Sequence, residues 1–461
     1  MEDILSGVKN IYLVGIGGIG MTGLALLLKD KGFCVRGSDI QDSYNLRMLR
    51  ESGVEVFVGH KKENIKEDVD LVCYSSAIRK DNPEILEAEK KRINTVQRGK
   101  LLGLLTNDKK TIAVSGSHGK TTTSSFIGYL LTSLGYRPTV FVGGIPLNYQ
   151  RNAWWGGEYC VIETDESDGS FLYYNPWVSV ITNVDYEHLD YYSSIDNLRE
   201  SFLKFACQTK ELVIGCGDEN LVREILSKVN GLSYGFEEQN RVQGKNFSFE
   251  GGCTFFDLFI DHKFISRVKI SLLGKHNVLN TLAVLSLFFY MEEDLNKVIE
   301  ILKDFKGTKR RFQVKDTFRG ITFVDDYAHH PSEIKAVIGA AHLLNPKRIL
   351  VVWQPHRFSR VKLLYEQFIE CFSSVDKLVV TDIYAASEQN ISGINSEELC
   401  KEIKERHSFD AEYVPKTKLF ESMPLYLEEG DLVLALGAGD INSVMEQVIN
   451  ELKRNRITAQ H

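Results

Sequence analysis

At 461 residues the chain is long enough for roughly two to four ordinary domains. Hydrophobic residues at 43% and charged residues at 25% match soluble globular usage, and a formal net charge of −7 argues against a broad, non-specific hold on nucleic acid. No stretch approaches the roughly 20 apolar residues of a membrane helix. Eight cysteines without a CxxC pair read as buried thiols of a reducing compartment, so a cytoplasmic location is expected.

The N-terminus, Met1 to Asn10, has no signal-peptide core and leads into the strand-like Ile11–Val14. Then comes Gly15-Ile16-Gly17-Gly18-Ile19-Gly20, a GxGxxG turn before the apolar helical pattern Met21–Leu28. Such a turn sets a pyrophosphate on a helix N-terminus, whether of a dinucleotide or of a UDP-sugar. A second strand runs through Phe33–Arg36 to Asp39, an acidic residue at the usual ribose distance. Cys73–Ile78, with Ser75, Ser76 and Ala77, ends another strand on the expected ligand side.

The polar break Thr106–Lys110 separates this segment from a second strand, Thr111–Ser115. Gly116-Ser117-His118-Gly119-Lys120-Thr121-Thr122 follows, opening the helical pattern Ser124–Leu134. A strict GxxxxGK[ST] loop would need glycine at 114, where this chain has Val114, so only the shorter Gly-x-x-Gly-Lys-Thr form is present. Its backbone amides suit phosphate, Lys120 reaches β- and γ-phosphates, and the Thr121 hydroxyl can ligate Mg2+. Glu163 closes the strand-like Tyr159–Ile162 and begins an acidic run with Asp165, Glu166 and Asp168, for which a solvated turn is the bland alternative. His188 follows the strand-like Val178–Asn183; a capping or core role is equally open on residue type alone.

A β-rich stretch covers Arg241–Leu273, after which His276, Asn277 and Asn280 have helical spacing. Lys306–Arg311 forms a second, basic break. Arg311 could serve a triphosphate or be a linker charge. Asp326, His329 and His330 follow the strand Thr322–Asp325. A third strand-to-helix opening, Lys347–Trp353, leads through His356 and Arg357 into the helical pattern Val361–Phe372. The three openings predict parallel α/β sheets throughout, and the breaks place boundaries at 1–108, 109–307 and 308–461. The polar tail Lys453–His461 is expected to fray.

Nine motifs in one order carry a resemblance. They are Gly15–Met21, Gly116–Thr122, Glu163–Asp168, Asn183–Asp190, Gly274–Asn280, Arg310–Phe312, Asp325–Pro331, Gln354–Arg360 and Gly437–Asp440. Over essentially its whole length the sequence resembles the Mur ligase family, and within it the branch that adds L-alanine. The resemblance implies an α/β fold of three domains: a Rossmann-like N-terminal domain for a UDP-sugar, a central P-loop ATPase domain, and a C-terminal Rossmann-like domain that closes over the site. It also implies that ATP phosphorylates the carboxylate of UDP-N-acetylmuramate and that the L-alanine amine attacks the acyl phosphate, giving amide, ADP and phosphate.

Residue roles follow from the same resemblance. Gly15, Gly17, Gly18, Gly20, Asp39 and Ser75–Ala77 serve the UDP-sugar. Gly116–Thr122, His276, Asn277, Asn280, Arg311 and Asp326 serve ATP, the asparagines at the adenine. Thr121, Glu163 and His188 hold divalent metal, Mg2+ with Mn2+ as the alternative that a histidine ligand favours. Arg357 and Arg360 hold the amino-acid carboxylate. Lys120 and Glu163 with His188, His330 and His356 carry the chemistry, one histidine of the C-terminal group being the base. Ser117 stands where the family loop more often has threonine, and at the register of the carbamylated lysine of sibling ligases this chain has Leu203. No nucleic acid or membrane partner is expected, and the chain should be a monomer or weak homodimer. Competing readings are a ligase attaching a tripeptide to the same UDP-sugar, an NAD-dependent oxidoreductase, and a non-catalytic nucleotide sensor.

Overall fold

The computed structural model describes residues 4–185, 192, 194–386, 388–390 and 393–458, with side chains described to 454. The chain divides into two compact units. The first comprises Met1–Phe247, Phe255–Ile270 and Asn277–Thr308; the second comprises Ser248–Thr254, Ser271–His276 and Lys309–His461.

Two sheets build the first unit among the described residues. The N-terminal one contains β1 (Asn10–Val14), β2 (Cys34–Asp39), β3 (Glu55–Val58), β4 (Leu71–Tyr74) and β5 (Asn94–Gln97) in the order β3-β2-β1-β4-β5. All its pairings are parallel. Strand β1 alternates between two buried faces, as a central parallel strand must. Ile11 and Leu13 pack with Leu24, Leu27 and Leu28 of the helix Ile19–Lys31, while Tyr12 and Val14 meet Ile65, Val69 and Ala88. The strand order reverses at β1, so the glycine turn that follows it sits at the switch point where doubly wound sheets bind ligands.

The second sheet contains β6 (Lys110–Ser115), β7 (Thr139–Phe141), β8 (Ala153–Trp154), β9 (Tyr159–Glu163), β10 (Val178–Ile181), β11 (Leu212–Cys216), β12 (Gly231–Gly235), β13 (Val242–Glu250), β14 (Cys253–Ile260) and β15 (Lys263–Ile270). Its order is β15-β14-β13-β12-β11-β10-β6-β9-β7-β8, and β6 lies parallel between β10 and β9. The phosphate-loop candidate therefore leaves the strand with Glu163 on one side and Thr182-Asn183 on the other. The β-rich stretch of the sequence is the run β13 to β15 at one edge of this sheet.

The two sheets are tied by specific contacts. The helix Ile19–Lys31 runs against the second sheet at Gly23, where an added Cβ would come within 2.6 Å of Asn152 Nδ2. Asn152 Nδ2 donates to the Ile19 carbonyl at 3.0 Å, and Arg98 pairs with Asp165 at 3.1 Å.

The second unit is built on β16 (Gln313–Phe318), β17 (Ile321–Asp326), β18 (Arg348–Trp353), β19 (Lys377–Val380), β20 (Asp410–Tyr413) and β21 (Asp431–Leu436), ordered β16-β17-β21-β18-β19-β20. Only the β16–β17 pair is antiparallel. The turns after β17, β18 and β21 consequently leave one edge together. Trp353 is fully buried between Phe368 and Phe372. Two expectations change here. The pattern Val361–Phe372 forms two short helices, Phe358–Leu363 and Tyr365–Glu370, because Leu364 leaves helical geometry at φ −112°, ψ 23°. The tail is helical to Thr458, and Ile441, Met445, Val448 and Ile449 bury one face of the helix Ile441–Thr458 in the core.

Candidate functional site

The loop after β6 gets its shape from two glycines in the left-handed region. Gly116 has φ +129° and Gly119, the N-cap of the helix Lys120–Ser133, has φ +83°. The turn is fastened to the strand β10 side by reciprocal bonds. Ser117 N–H donates to the Asn183 carbonyl at 3.0 Å. His118 N–H donates to Asn183 Oδ1 at 2.8 Å, and Asn183 Nδ2 returns a bond to the His118 carbonyl at 3.1 Å. Thr182 Oγ1 donates to the same carbonyl at 2.6 Å. His118 Nε2 also lies 2.8 Å from Asp185 Oδ2. The loop is thus a preformed nest whose helix N-terminus is suited to anions.

Its side chains converge as a phosphate site requires. Lys120 Nζ contacts the Gly116 carbonyl, the Ser117 carbonyl at 3.1 Å and Glu166 Oε1 at 2.7 Å. Burial pushes the ammonium down, but Glu166, Glu163 and Asp165 together outweigh burial and hold it above the ordinary lysine range, so it stays charged. Thr121 Oγ1 donates to Glu163 Oε1 at 2.8 Å, and the Gly143 amide also bonds Glu163. Thr122 is buried. Asn280 Oδ1 accepts from Thr123 at 3.3 Å, Asn277 Oδ1 accepts from Asn280 Nδ2 at 3.2 Å, and Asn280 sits so close to Gly119 that a Cβ there would meet Oδ1 at 2.3 Å. The structure therefore brings Gly116–Thr122, Glu163, Asn277 and Asn280 together. His188 lies outside the described residues.

The first glycine turn is equally well braced. Gly15 (φ +79°) and Ile16 donate their amides to the Ser38 carbonyl at 2.9 Å each. Asp39 Oδ2 accepts the Gly17 amide at 2.9 Å, so the acidic residue read from the sequence touches the turn itself. Gly18 caps the helix Ile19–Lys31, and Arg98 presses against Gly20, where a Cβ would lie 2.8 Å from Nη1. Ser38 is fixed in turn by the buried carboxylate of Glu84, which accepts from Ser38 Oγ, Tyr12 Oη and Asn64 Nδ2 and lies 3.0 Å from His60 Nδ1. Ser75 flanks Gly15, with Ser76 and Ala77 exposed beyond it.

In the second unit the turns after β17 and β18 carry most of the remaining predicted residues, with Arg311 just before β16. His356 Nδ1 lies 3.0 Å from Arg360 Nη1, and its ring stacks on Tyr384 at 5.6 Å and meets His329 at 5.7 Å. Arg357 takes φ +68° and donates its amide to the Tyr384 carbonyl at 2.9 Å. Arg311 lies over the Tyr327 ring and 4.0 Å from Glu333. His330 serves as the N-cap of the helix Pro331–His342: Nδ1 accepts the Ser332 amide at 3.3 Å, in a capping box with Glu333. Asp326 is likewise committed to backbone, accepting the Phe312 and Ala328 amides.

Burial sets the protonation of this group. It pulls His276 and His329 down to about 4, with the Arg311 and Arg360 guanidiniums adding to it, and His356 to about 3, with His329 and Arg360 adding. It pushes Asp326 up to about 6. Unfolding returns the histidines to about 6.5, so the unfolded chain binds the extra protons and stability falls as pH drops from about 6.5 towards 4. Asp326 acts oppositely, losing stabilisation as pH rises from about 4 to 6. His329→Gln should therefore flatten the decline in melting temperature between pH 6.5 and 4.5. An unchanged pH slope would contradict a neutral, buried His329.

Sequence reasoning missed Glu166 as the partner of Lys120, Arg98 beside the first glycine turn, and Tyr384 under His356. Glu166 stood in a visible acidic run, but spacing does not tell which of its carboxylates faces the lysine. Arg98 and Tyr384 carry no local pattern.

Three family models match in chain order: the Mur ligase catalytic domain over residues 10–110, the Mur ligase middle domain over 114–288, and the Mur ligase glutamate ligase domain over 310–439. The chain is 41% identical to a UDP-N-acetylmuramate–L-alanine ligase of Caldanaerobacter subterraneus, covering 98% of this chain and 100% of that one. It is 40% identical to the enzyme of the same name from Aquifex aeolicus, covering 96% and 98%. The crystal structure of a UDP-N-acetylmuramate–alanine ligase from Thermotoga maritima superposes with a TM-score of 0.86 at 30% identity, over 97% of this chain and 100% of that one. With phosphate-loop, glycine-turn and histidine–arginine motifs folded as described and relatives matched end to end, the chain belongs to the Mur ligase family.

Proposed function

We infer that this protein is an ATP-dependent ligase that joins L-alanine to the carboxylate of UDP-N-acetylmuramate, a step of peptidoglycan precursor synthesis. The observation that carries the reading is the convergence of Lys120, Thr121 and Glu163 on the loop after β6, in a chain about 40% identical over its length to ligases named for that reaction. The carboxylate oxygen attacks the γ-phosphorus and ADP leaves. The alanine amine then adds to the acyl carbon, loses a proton to a base, and expels phosphate. The difficulty is the meeting of two anions, and Lys120 together with the loop amides supplies positive charge where it develops.

Thr121 and Glu163 offer a hydroxyl and a carboxylate 2.8 Å apart, an all-oxygen pair that fits Mg2+. Bound there, the ion would neutralise phosphate charge. His188 is proposed to join the metal set, with Mn2+ as an alternative ion. Arg357 and Arg360 are proposed for the alanine carboxylate, and His356 for the base in preference to His330, whose ring nitrogen already caps a helix. The glycine turn with Asp39 and Ser75–Ala77 is proposed for the UDP-sugar. The domain boundaries 1–108, 109–307 and 308–461, a cytoplasmic location and a monomer or weak homodimer complete the reading. No helix among the described residues is long and apolar enough to cross a membrane.

Phosphate release from ATP, measured with UDP-N-acetylmuramate and each small amino acid in turn, tests this. L-Alanine should support the fastest release. Release only with a tripeptide acceptor, or none with any muramyl substrate, would replace the reading.

A further inference from the structure

The loop Glu163–Asp168 sends three carboxylates in three directions. Glu163 holds Thr121 and the Gly143 amide. Asp165 holds Arg98 and its own Ser167. Glu166 points to Lys120, and its backbone carbonyl accepts the buried Tyr192 hydroxyl. Glu166 is therefore pinned on both sides, and its side chain is only 3% exposed.

An ammonium has three N–H donors. The Gly116 carbonyl, the Ser117 carbonyl and Glu166 Oε1 give Lys120 three acceptors in this structure. To donate to a phosphate the lysine must release one of them. The two carbonyls belong to the loop that cradles the phosphate and stay beside it. Glu166 is the charged partner, hence the strongest competitor, and it cannot follow the lysine because its backbone is tied to Tyr192 and its neighbour to Arg98.

We propose that Glu166 is a positioning residue for Lys120 that holds the ammonium back against the loop and competes with the triphosphate for it, so that the Lys120–Glu166 contact sets the affinity for nucleotide. The proposal rests on the loop 116–122 being the triphosphate site. Loosening the contact should tighten binding at the expense of a less well-placed lysine.

Calorimetric titration of the full-length enzyme with Mg2+ and a non-hydrolysable ATP analogue tests it. Glu166→Gln, isosteric and uncharged, should bind about three- to tenfold more tightly than wild type. Glu166→Asp keeps the charge but withdraws the carboxylate by one methylene, and should also bind more tightly. In a Lys120→Met background the Glu166→Gln change should alter affinity by less than twofold. Tightening by Gln but not by Asp, or equal tightening with and without Lys120, would mean plain through-space repulsion and would overturn the proposal. So would unchanged or weaker binding by Glu166→Gln when wild type binds normally. A wild-type enzyme that binds no triphosphate analogue would overturn the functional reading and the proposal with it. Turnover by Glu166→Gln should show a lowered KM for ATP together with a lowered kcat, a split that loss of fold alone does not produce.

Discussion

Lys120→Met is expected to lower kcat for alanine-dependent phosphate release by at least about 10²-fold, equivalent to roughly 2.7 kcal/mol of transition-state stabilisation. The argument begins with charge. The acceptor carboxylate and the γ-phosphate repel, and the reaction must bring them into line. Lys120 is the first residue of the helix Lys120–Ser133, so its ammonium adds a full charge where the helix N-terminus already supplies a partial one. Its site holds it charged despite burial, because three carboxylates surround it. Methionine keeps the length and the apolar stem and deletes only the charge. The substitution also strands Glu166, a buried carboxylate, so some loss of stability should accompany the loss of rate. A Lys120→Met, Glu166→Gln double variant removes that complication: it should regain melting temperature without regaining turnover. Near-normal turnover in either variant would remove the lysine from the mechanism.

How much of this was legible in the sequence differs by feature. The phosphate loop was legible because its chemistry is local: glycines, lysine and threonine act within seven residues and on one another's backbone. The parallel strands were legible for the same reason, as each strand-to-helix opening is a contiguous pattern, but the sheets are not parallel throughout: β7–β8 and β16–β17 pair antiparallel. The partners were not. Lys120 and Glu166 are 46 positions apart, and only the parallel pairing of β6 with β9 makes them neighbours. Arg98, which opens the helix after β5, and Asp165, in the loop after β9, are 67 positions apart. His330 illustrates a different kind of local signal. Its residue type suits acid–base work, yet the proline and glutamate that follow it, Pro331 and Glu333, spell a helix start, and the structure uses the imidazole as the cap. The departure at Val114 is also local physics: Val114 is a fully buried β6 residue bonded through its backbone to Thr164, so the loop turns later and needs its glycine at 116.

That glycine is the basis of the second large effect. Gly116→Ala should weaken triphosphate binding by roughly 30-fold or more and lower the melting temperature, whereas Gly119→Ala should do less of both. At Gly116 a Cβ would stand 2.2 Å from Thr182 Oγ1 and 2.8 Å from the Asn183 carbonyl oxygen, on a backbone with φ +129°. The second of these is a backbone atom of the segment that follows β10, and the same carbonyl accepts the Ser117 amide. The Thr182 hydroxyl could rotate only by giving up its bond to the His118 carbonyl, and the Asn183 backbone cannot swing aside at all, so the loop itself has to move, and it takes Ser117 and His118 with it. Left-handed strain costs about 1–3 kcal/mol and overpacking a similar amount, and each 1.4 kcal/mol expressed in binding is tenfold. At Gly119 the obstacle is Asn280 Oδ1 at 2.3 Å, a side-chain atom that can turn away by giving up its bonds to Thr123 and Asn277. The φ of +83° there still penalises alanine, so the effect is smaller without being absent. Equal effects at the two positions, or an unaltered affinity in Gly116→Ala, would show that the loop adapts more freely than its contacts to Thr182 and Asn183 imply.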